Sequence, residues 1–376
     1  KFFITSFCHL NHYITIVSRC VIDRAVIGAW VGSSNLGDEL IFSILLRLLR
    51  ERGMETVVPS VNPAKTKSSF DTDSFNHLNF IELKKQMTNS DALIFGGGGL
   101  LQDETGLWNL PFHLSRITAA RKQGLPWIGV GLGASGLTSK RSLKQVSKKF
   151  KDPLGVSVRD QNSAQILKSL NIPNVVKAAD LGWLWDVSKK ISPVSSSSFL
   201  GVSLRNPQTP RFLPASIGPK TSLSEKETGD LAESIDAVAI STGLKVRFIS
   251  LNPEEDALLH KRVAEKLKVD SELLNPDFET LEQCFNNVEA VVTMRYHAGL
   301  MGALKGAGVV CLPFSRKLDS LVTVLGSAAS STTTSDLVSN VEKVISGRCE
   351  LNEHVETLRN ESYKNVEVID LLDGMQ

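Results

Sequence analysis

DALIFGGGGLLQD, spanning Asp91–Asp103, is the stretch that decides the architecture. Its apolar run Ala92–Phe95 reads as a short buried strand, and four glycines follow at once. A turn needs one or two glycines, and each extra one costs backbone entropy, so the run suits a backbone passing close to a ligand. GVGLG (Gly129–Gly133) repeats the arrangement at the strand Trp127–Val130. Upstream, Ala25–Val31 reads as a strand ended by the turn GSSN, and a helical stripe of Leu40, Ile41, Ile44, Leu45, Leu48 and Leu49 runs to Gly53. Further strands are expected at Thr56–Val58, cut short by Pro59, and at Val156–Val158, with helices over Leu114–Arg121 and Ser163–Leu170. Short apolar strands alternating with helices are the mark of a parallel sheet of βαβ units, here a Rossmann-like lobe over 24–188.

KKISPVSSSSF (Lys189–Phe199) has nothing to build a core from, and residues 189–198 read as a linker. The alternation restarts beyond it. Strands are expected at Leu200–Leu204, Val246–Leu251, Ala290–Thr293 and Val309–Leu312. Helices are expected at Leu231–Thr242, Glu254–Leu267, Thr280–Asn287, His297–Lys305 and Ser335–Ser346. The second lobe is thus placed at 199–350, with a final helix in 351–376 packing back across the lobes. The fold class is α/β, two Rossmann-like lobes facing a cleft into which the carboxyl ends of the strands point.

The composition of this 376-residue chain fits two cores: 42% hydrophobic and 22% charged. With 42 basic and 40 acidic residues spread along it, a dedicated nucleic-acid binder is not expected. Cys8, Cys20, Cys284, Cys311 and Cys349 are few and widely spaced, which argues against a disulfide scaffold or structural zinc and favours a reducing compartment. Residues 1–23 form an extension of uncertain order. Its apolar stretch is interrupted by His9, Asn11 and His12 and fits neither a signal peptide nor a spanning helix. It reads as a fragment or an overrun, with a weak membrane-surface role as the functional alternative.

Candidate chemistry gathers at strand ends. GSSNLGDE (Gly32–Glu39) opens the first helix, where amide groups attract anions; Asn35 or Asp38 is either a helix cap or a ligand contact. Gly97, Gly98 and Gly99 are candidate ligand-approach positions. Arg159 in SVRD follows a buried strand, placed either to fork onto a carboxylate or phosphate or to pair with Asp160. MRYHAGLMGAL (Met294–Leu304) brings Arg295 and His297 off a strand into a helix of small residues, and Lys317 is expected at the next strand end. His113 and His260 read as facing solvent or core, and His77 and His354 lack supporting neighbours. Metal-ligand spacing is absent, so no metal is expected.

In order along the chain, GSSNLGDE, DALIFGGGGLLQD, GVGLG, SVRD, AADLGWL (Ala178–Leu184) and MRYHAGLMGAL resemble the polysaccharide pyruvyl transferase family over about Arg24 to Leu325. The resemblance implies a two-lobed GT-B-like fold and transfer of a pyruvyl group from phosphoenolpyruvate to two hydroxyls of a sugar, giving a ketal. It implies phosphoenolpyruvate binding by Arg159, Arg295, His297 and Lys317, with Asp38 on the acceptor side. His297 then becomes the candidate acid and Asp38 or Glu39 the candidate base. No cofactor beyond phosphoenolpyruvate as donor substrate is required. The expected partner is a sugar or lipid-linked saccharide acceptor; a peripheral membrane contact at the inner face of a cytoplasmic enzyme and a homo-oligomer stay open. Two other readings compete. A nucleotide-sugar glycosyltransferase on the same fold would use the Glu254-Glu255-Asp256 cluster, otherwise a solvated helix start. The other is a non-catalytic sugar- or anion-binding protein.

Overall fold

The structure is a computed structural model describing residues 22–103, 106, 108–187, 198–207, 222–313 and 316–374. The N-terminal extension up to residue 21 and nearly all of the expected linker lie outside the described residues. The first sheet contains β1 (Arg24–Ile27), β2 (Glu55–Ser60), β3 (Asp73–Asn76), β4 (Ala92–Gly98), β5 (Trp127–Leu132), β6 (Val156–Val158) and β7 (Val175–Lys177). All neighbours are parallel, in the order 3-2-1-4-5-6-7. Its helices are α1 (Leu36–Arg50), α2 (Pro63–Phe70), α3 (Phe80–Thr88), α4 (Asn109–Lys122), α5 (Lys140–Lys149) and α6 (Gln161–Ser169).

The second sheet holds β8 (Phe199–Ser203), β9 (Lys245–Ile249), β10 (Ser271–Leu274), β11 (Val288–Thr293), β12 (Gly308–Cys311) and β13 (Ala329–Ser331). It is also parallel and ordered 10-9-8-11-12-13, so both sheets reverse direction beside their first strand. Ligands of such sheets bind at that reversal, outside the carboxyl ends of the strands. The accompanying helices are α7 (Glu225–Thr242), α8 (Pro253–Ala264), α9 (Tyr296–Leu304), α10 (Arg316–Leu325) and α11 (Leu337–Ser346).

Several expected bounds shift for local reasons. Pro59 lies inside β2 rather than ending it. The amides of Glu55 and Val61 reach Asp23 and Val31 on the β1 side, and position 59 faces the same side beyond the last β1–β2 pair, Val26–Val57, where a proline is tolerated. The expected helix at 280–287 is a single 3-10 turn, Glu282–Phe285. Phe199 opens β8 and carries the Arg247 guanidinium on its ring at 3.5 Å. The C-terminal stretch is two helices, α12 (Leu351–Ser362) and α13 (Lys364–Asp370), and it crosses back to the first lobe. There Arg52 donates to Asp370 at 2.6 Å, and a Cβ added at Gly155 would meet Leu371 at 2.5 Å.

One apolar cluster runs through both lobes, joining Leu40, Leu45 and Trp183 to Leu300, Met301, Leu358 and Ile369. Phe278 of the second lobe continues it, packing on Phe70 at 5.1 Å and stacking on Trp185. Lobes that share a core unfold together. Denaturation followed by far-ultraviolet dichroism and tryptophan fluorescence should therefore show one coincident transition. Leu300→Ala, at the seam, should lower stability by about 3 kcal/mol and shift both probes equally. Separate transitions for the two probes would contradict a shared core.

Candidate active site

The second lobe contributes a corner fixed by one hydroxyl. Thr293 Oγ at the end of β11 accepts the amide of Arg295 and donates to its carbonyl, both at 2.8 Å. The chain therefore turns at once into α9, with Arg295 as N-cap and His297 in the first turn. Gly302 lets α9 lie close on its sheet and Gly299 lets it lie close to α10, since added Cβ atoms would meet Val291 at 2.5 Å and Leu321 at 2.6 Å.

The first lobe meets this corner through α1. A Cβ on Gly37 would lie 2.1 Å from His297 Nδ1, so only glycine lets the two lobes close here. Across the same seam the amide of Leu36 donates to the carbonyl of Leu251 at 2.8 Å, and Ser34 Oγ donates to Asn252 at 2.5 Å. The glycine runs work in the same way. Added Cβ atoms would stand 3.2 Å from Asp38 at Gly98, 3.0 Å from Lys317 Nζ at Gly99 and 2.8 Å from Arg159 Nε at Gly133. These glycines leave room for charged side chains arriving from other elements. Gly97 and Gly98 also take φ of +88° and +84°, which side chains other than glycine rarely adopt.

Asp180 is the centre of the cluster. It is 1% exposed, accepts from Arg159 Nη1 at 3.0 Å and from the Gly182 amide at 2.9 Å, and lies 3.8 Å from His297 Nε2. Burial alone would raise its pKa, but His297 and Arg159 hold it well below the usual carboxylate range. Burial would likewise favour loss of the proton from Arg159, but Asp180, Tyr296 and Asp160 together outweigh it, keeping the guanidinium charged over the Tyr296 ring at 4.9 Å. His297 Nε2 is buried with no hydrogen-bond partner among the described residues. Lys317 reaches Gln102 at 3.3 Å; it stands on the first turn of α10, not at a strand end as expected.

Asn35 is the N-cap of α1, yet its side chain makes no cap bond; its Nδ2 donates to Asp38 at 2.5 Å. Burial raises the Asp38 pKa despite the opposing charges of His297, Lys317 and Arg159. Asp38, Arg159, His297 and Lys317 are thus brought together. Arg295 is drawn elsewhere: it pairs with Asp256 and, at 3.3 Å, with Glu255 on α8. Glu254 and Glu255 are exposed, as in the expected solvated helix start, but Asp256 is fully buried and anchors that arginine. His260 is buried and accepts the Leu204 amide at 2.9 Å, and burial lowers its pKa to about 3. Asp103 is a loop staple, accepting from Thr138 and Ser139.

Asp180 was not among the residues singled out from sequence, and Asp256 was read only as part of the acidic Glu254-Glu255-Asp256 cluster. The signal for Asp180 was present, since an acid inside the apolar AADLGWL needs a buried cation. No group of three or more metal-ligating side chains occurs among the described residues.

Two α/β lobes of this topology sharing one core define a GT-B-like fold, and solved structures of that class match nearly the whole chain. The UDP-GlcNAc 2-epimerase from Methanocaldococcus jannaschii matches with a TM-score of 0.58 and 13% identity, covering 93% of this chain and 99% of its own. The Neisseria meningitidis UDP-GlcNAc 2-epimerase bound to UDP-GlcNAc gives 0.56 and 10%, covering 92% and 99%. The calicheamicin glycosyltransferase CalG4 gives 0.53 and 11%, covering 94% and 99%. No curated protein matches the sequence. The chain belongs to the polysaccharide pyruvyl transferase family, whose profile matches residues 35–316.

Glu39 supplies a pH test of this geometry. Its carboxylate accepts the amides of Gly32 and Ser33 at 2.8 and 3.1 Å, and burial pushes its pKa up from 4.5 to about 7. A carboxyl raised on folding contributes fully below its unfolded value, and that contribution is lost as pH rises through about 7. Glu39→Gln keeps the acceptor without the charge. Urea titrations should find the variant more stable than wild type at pH 8, by on the order of 3 kcal/mol, and equal to it at pH 4. An unchanged difference between the two pH values would rule out Glu39 as the source.

Proposed function

We propose that this transferase moves a pyruvyl group from phosphoenolpyruvate onto two hydroxyls of a sugar in a cell-wall or exopolysaccharide precursor, forming a ketal. The observation that carries the reading is the gathering of Arg159, His297 and Lys317 around one carboxylate at the inter-lobe seam. Phosphoenolpyruvate brings a carboxylate and a phosphate, which call for several cations held charged without solvent. Arg159, fixed by Asp180, is suited to fork onto one of them, and Lys317 to neutralise the other.

In the proposed sequence one sugar hydroxyl adds to C2 of the enol while C3 takes up a proton and becomes a methyl group. The C2–O bond to phosphate then breaks, inorganic phosphate leaves, and the second hydroxyl closes the ketal after losing its proton. His297, with Nε2 pointing into the cluster, is assigned as proton donor to C3 or to the departing phosphate. Asp38 takes the base role toward the sugar, because the Glu39 carboxylate is already committed to two loop amides. Arg295, engaged by Asp256, is assigned to the outer part of the phosphoenolpyruvate site. Asn35 and the glycines Gly97, Gly98 and Gly99 shape the acceptor side. The setting is the cytoplasmic side of the membrane, where activated precursors are assembled.

Incubation with phosphoenolpyruvate and a panel of hexose and hexosamine glycosides should release phosphate and add the mass of a ketal to one acceptor. Turnover with none of them, together with tight binding of a nucleotide sugar, would overturn the proposal. His297→Ala should lower kcat by about 10²–10⁴-fold. Gly37→Ala should lower the thermal midpoint and reduce kcat/KM about 100-fold, because the new methyl displaces His297 and holds the lobes apart. Undiminished turnover in either variant would remove His297 from the mechanism.

A further inference from the structure

The outer face of the first lobe does not share the chain's near-neutral balance. Helices α3, α4 and α5 pack side by side on it. Apart from the buried Arg116 they carry nine Lys and Arg against one acid, Glu82, a local +8 in a chain of net +2. The basic and acidic residues, which look evenly mixed along the sequence, are segregated in space. Lys140, Arg141, Lys144 and Lys148 form an exposed stripe on α5, with no carboxylate in salt-bridge reach among the described residues. Two of them occupy the first turn, where the helix dipole disfavours cations, so they are not there to stabilise the helix. A groove of about 750 Å³ between the three helices is flanked by Lys84, Lys122 and Lys149.

Large apolar side chains crown the same face. Leu78 and Phe80 are more than half exposed, Ile81 is 86% exposed, and Trp108 is 68% exposed. They lie where α3 and α4 begin, at the carboxyl edge of the sheet that also faces the active site. Four such residues at one rim exceed the scattered exposure of an ordinary surface. Apolar and aromatic tips beside a lysine-rich face match an anionic lipid surface, with the tips entering the acyl boundary and the lysines at the headgroups. Nucleic acid would use the charge but not Ile81.

We propose that this face docks the enzyme onto an anionic membrane, with Ile81 and Trp108 inserted and the α5 stripe on the headgroups. The docking does not depend on the reaction proposed above. It would set the mouth of the cleft against the bilayer.

The test is sedimentation of the full chain with vesicles of phosphatidylcholine alone, or of equal parts phosphatidylcholine and phosphatidylglycerol. The protein should pellet with the anionic vesicles only and be released by high salt. The double variants Ile81→Ser/Trp108→Ser and Lys144→Glu/Lys148→Glu should each weaken partitioning about tenfold or more, with unchanged circular dichroism and unchanged turnover of a water-soluble acceptor. A wild-type protein that stays in solution with both vesicles, or variants that pellet like wild type, would overturn the proposal. So would binding to duplex DNA in place of anionic vesicles.

Discussion

The carboxylate of Asp180 has nowhere to go but its partners. Buried in an apolar 3-10 turn, it is tolerable only as an anion tied to Arg159 and to the Gly182 amide, with His297 facing it from the other lobe. Its backbone is held as well, by Ser362 Oγ at 3.0 Å, while Asn365 fastens the neighbouring carbonyl of Ala179. One residue therefore links the first sheet, the corner of the second and the returning C-terminal helices. Loss of that charge would leave the buried guanidinium with only Asp160, at 3.8 Å, to offset it, a cost larger than the net worth of the pair.

Around this pair the site is shaped by subtraction. Gly37, Gly98, Gly99 and Gly133 each vacate the volume of a methyl group, and a charged or ionisable side chain occupies it. The resulting cluster combines cations that repel one another with carboxylates that offset them, at a seam where water is scarce and charge interactions are strong. The apolar sheet of contacts from Leu40 through Leu300 to Ile369 supplies the stabilisation that keeps these charges close.

Much of this was legible in the chain, but unevenly. Interior strands such as β4 and β11 announce themselves because both faces are buried and they carry apolar runs, Ala92–Phe95 and Ala290–Val292. The edge strands β3, β7, β10 and β13 are short and partly polar, and carry no such signal. Arg159, His297 and Asp38 could be singled out because a charged residue at the end of a buried strand or the start of its helix is conspicuous. Which of them meet could not, since Gly37 and His297 lie far apart in sequence and touch only once the lobes dock. Arg295 shows the same limit from the other side: its pairing with Asp256 is a fact of tertiary placement, invisible in the local motif.

The returning C-terminus has a consequence for biosynthesis. The first lobe leaves the ribosome long before α13, yet α13 covers β5 and β6, and Gly155 makes space for Leu371. Strands β5 and β6 thus wait without this cover until α13 emerges. An enzyme truncated before α13 would lose part of the wall of the lobe that was synthesised first.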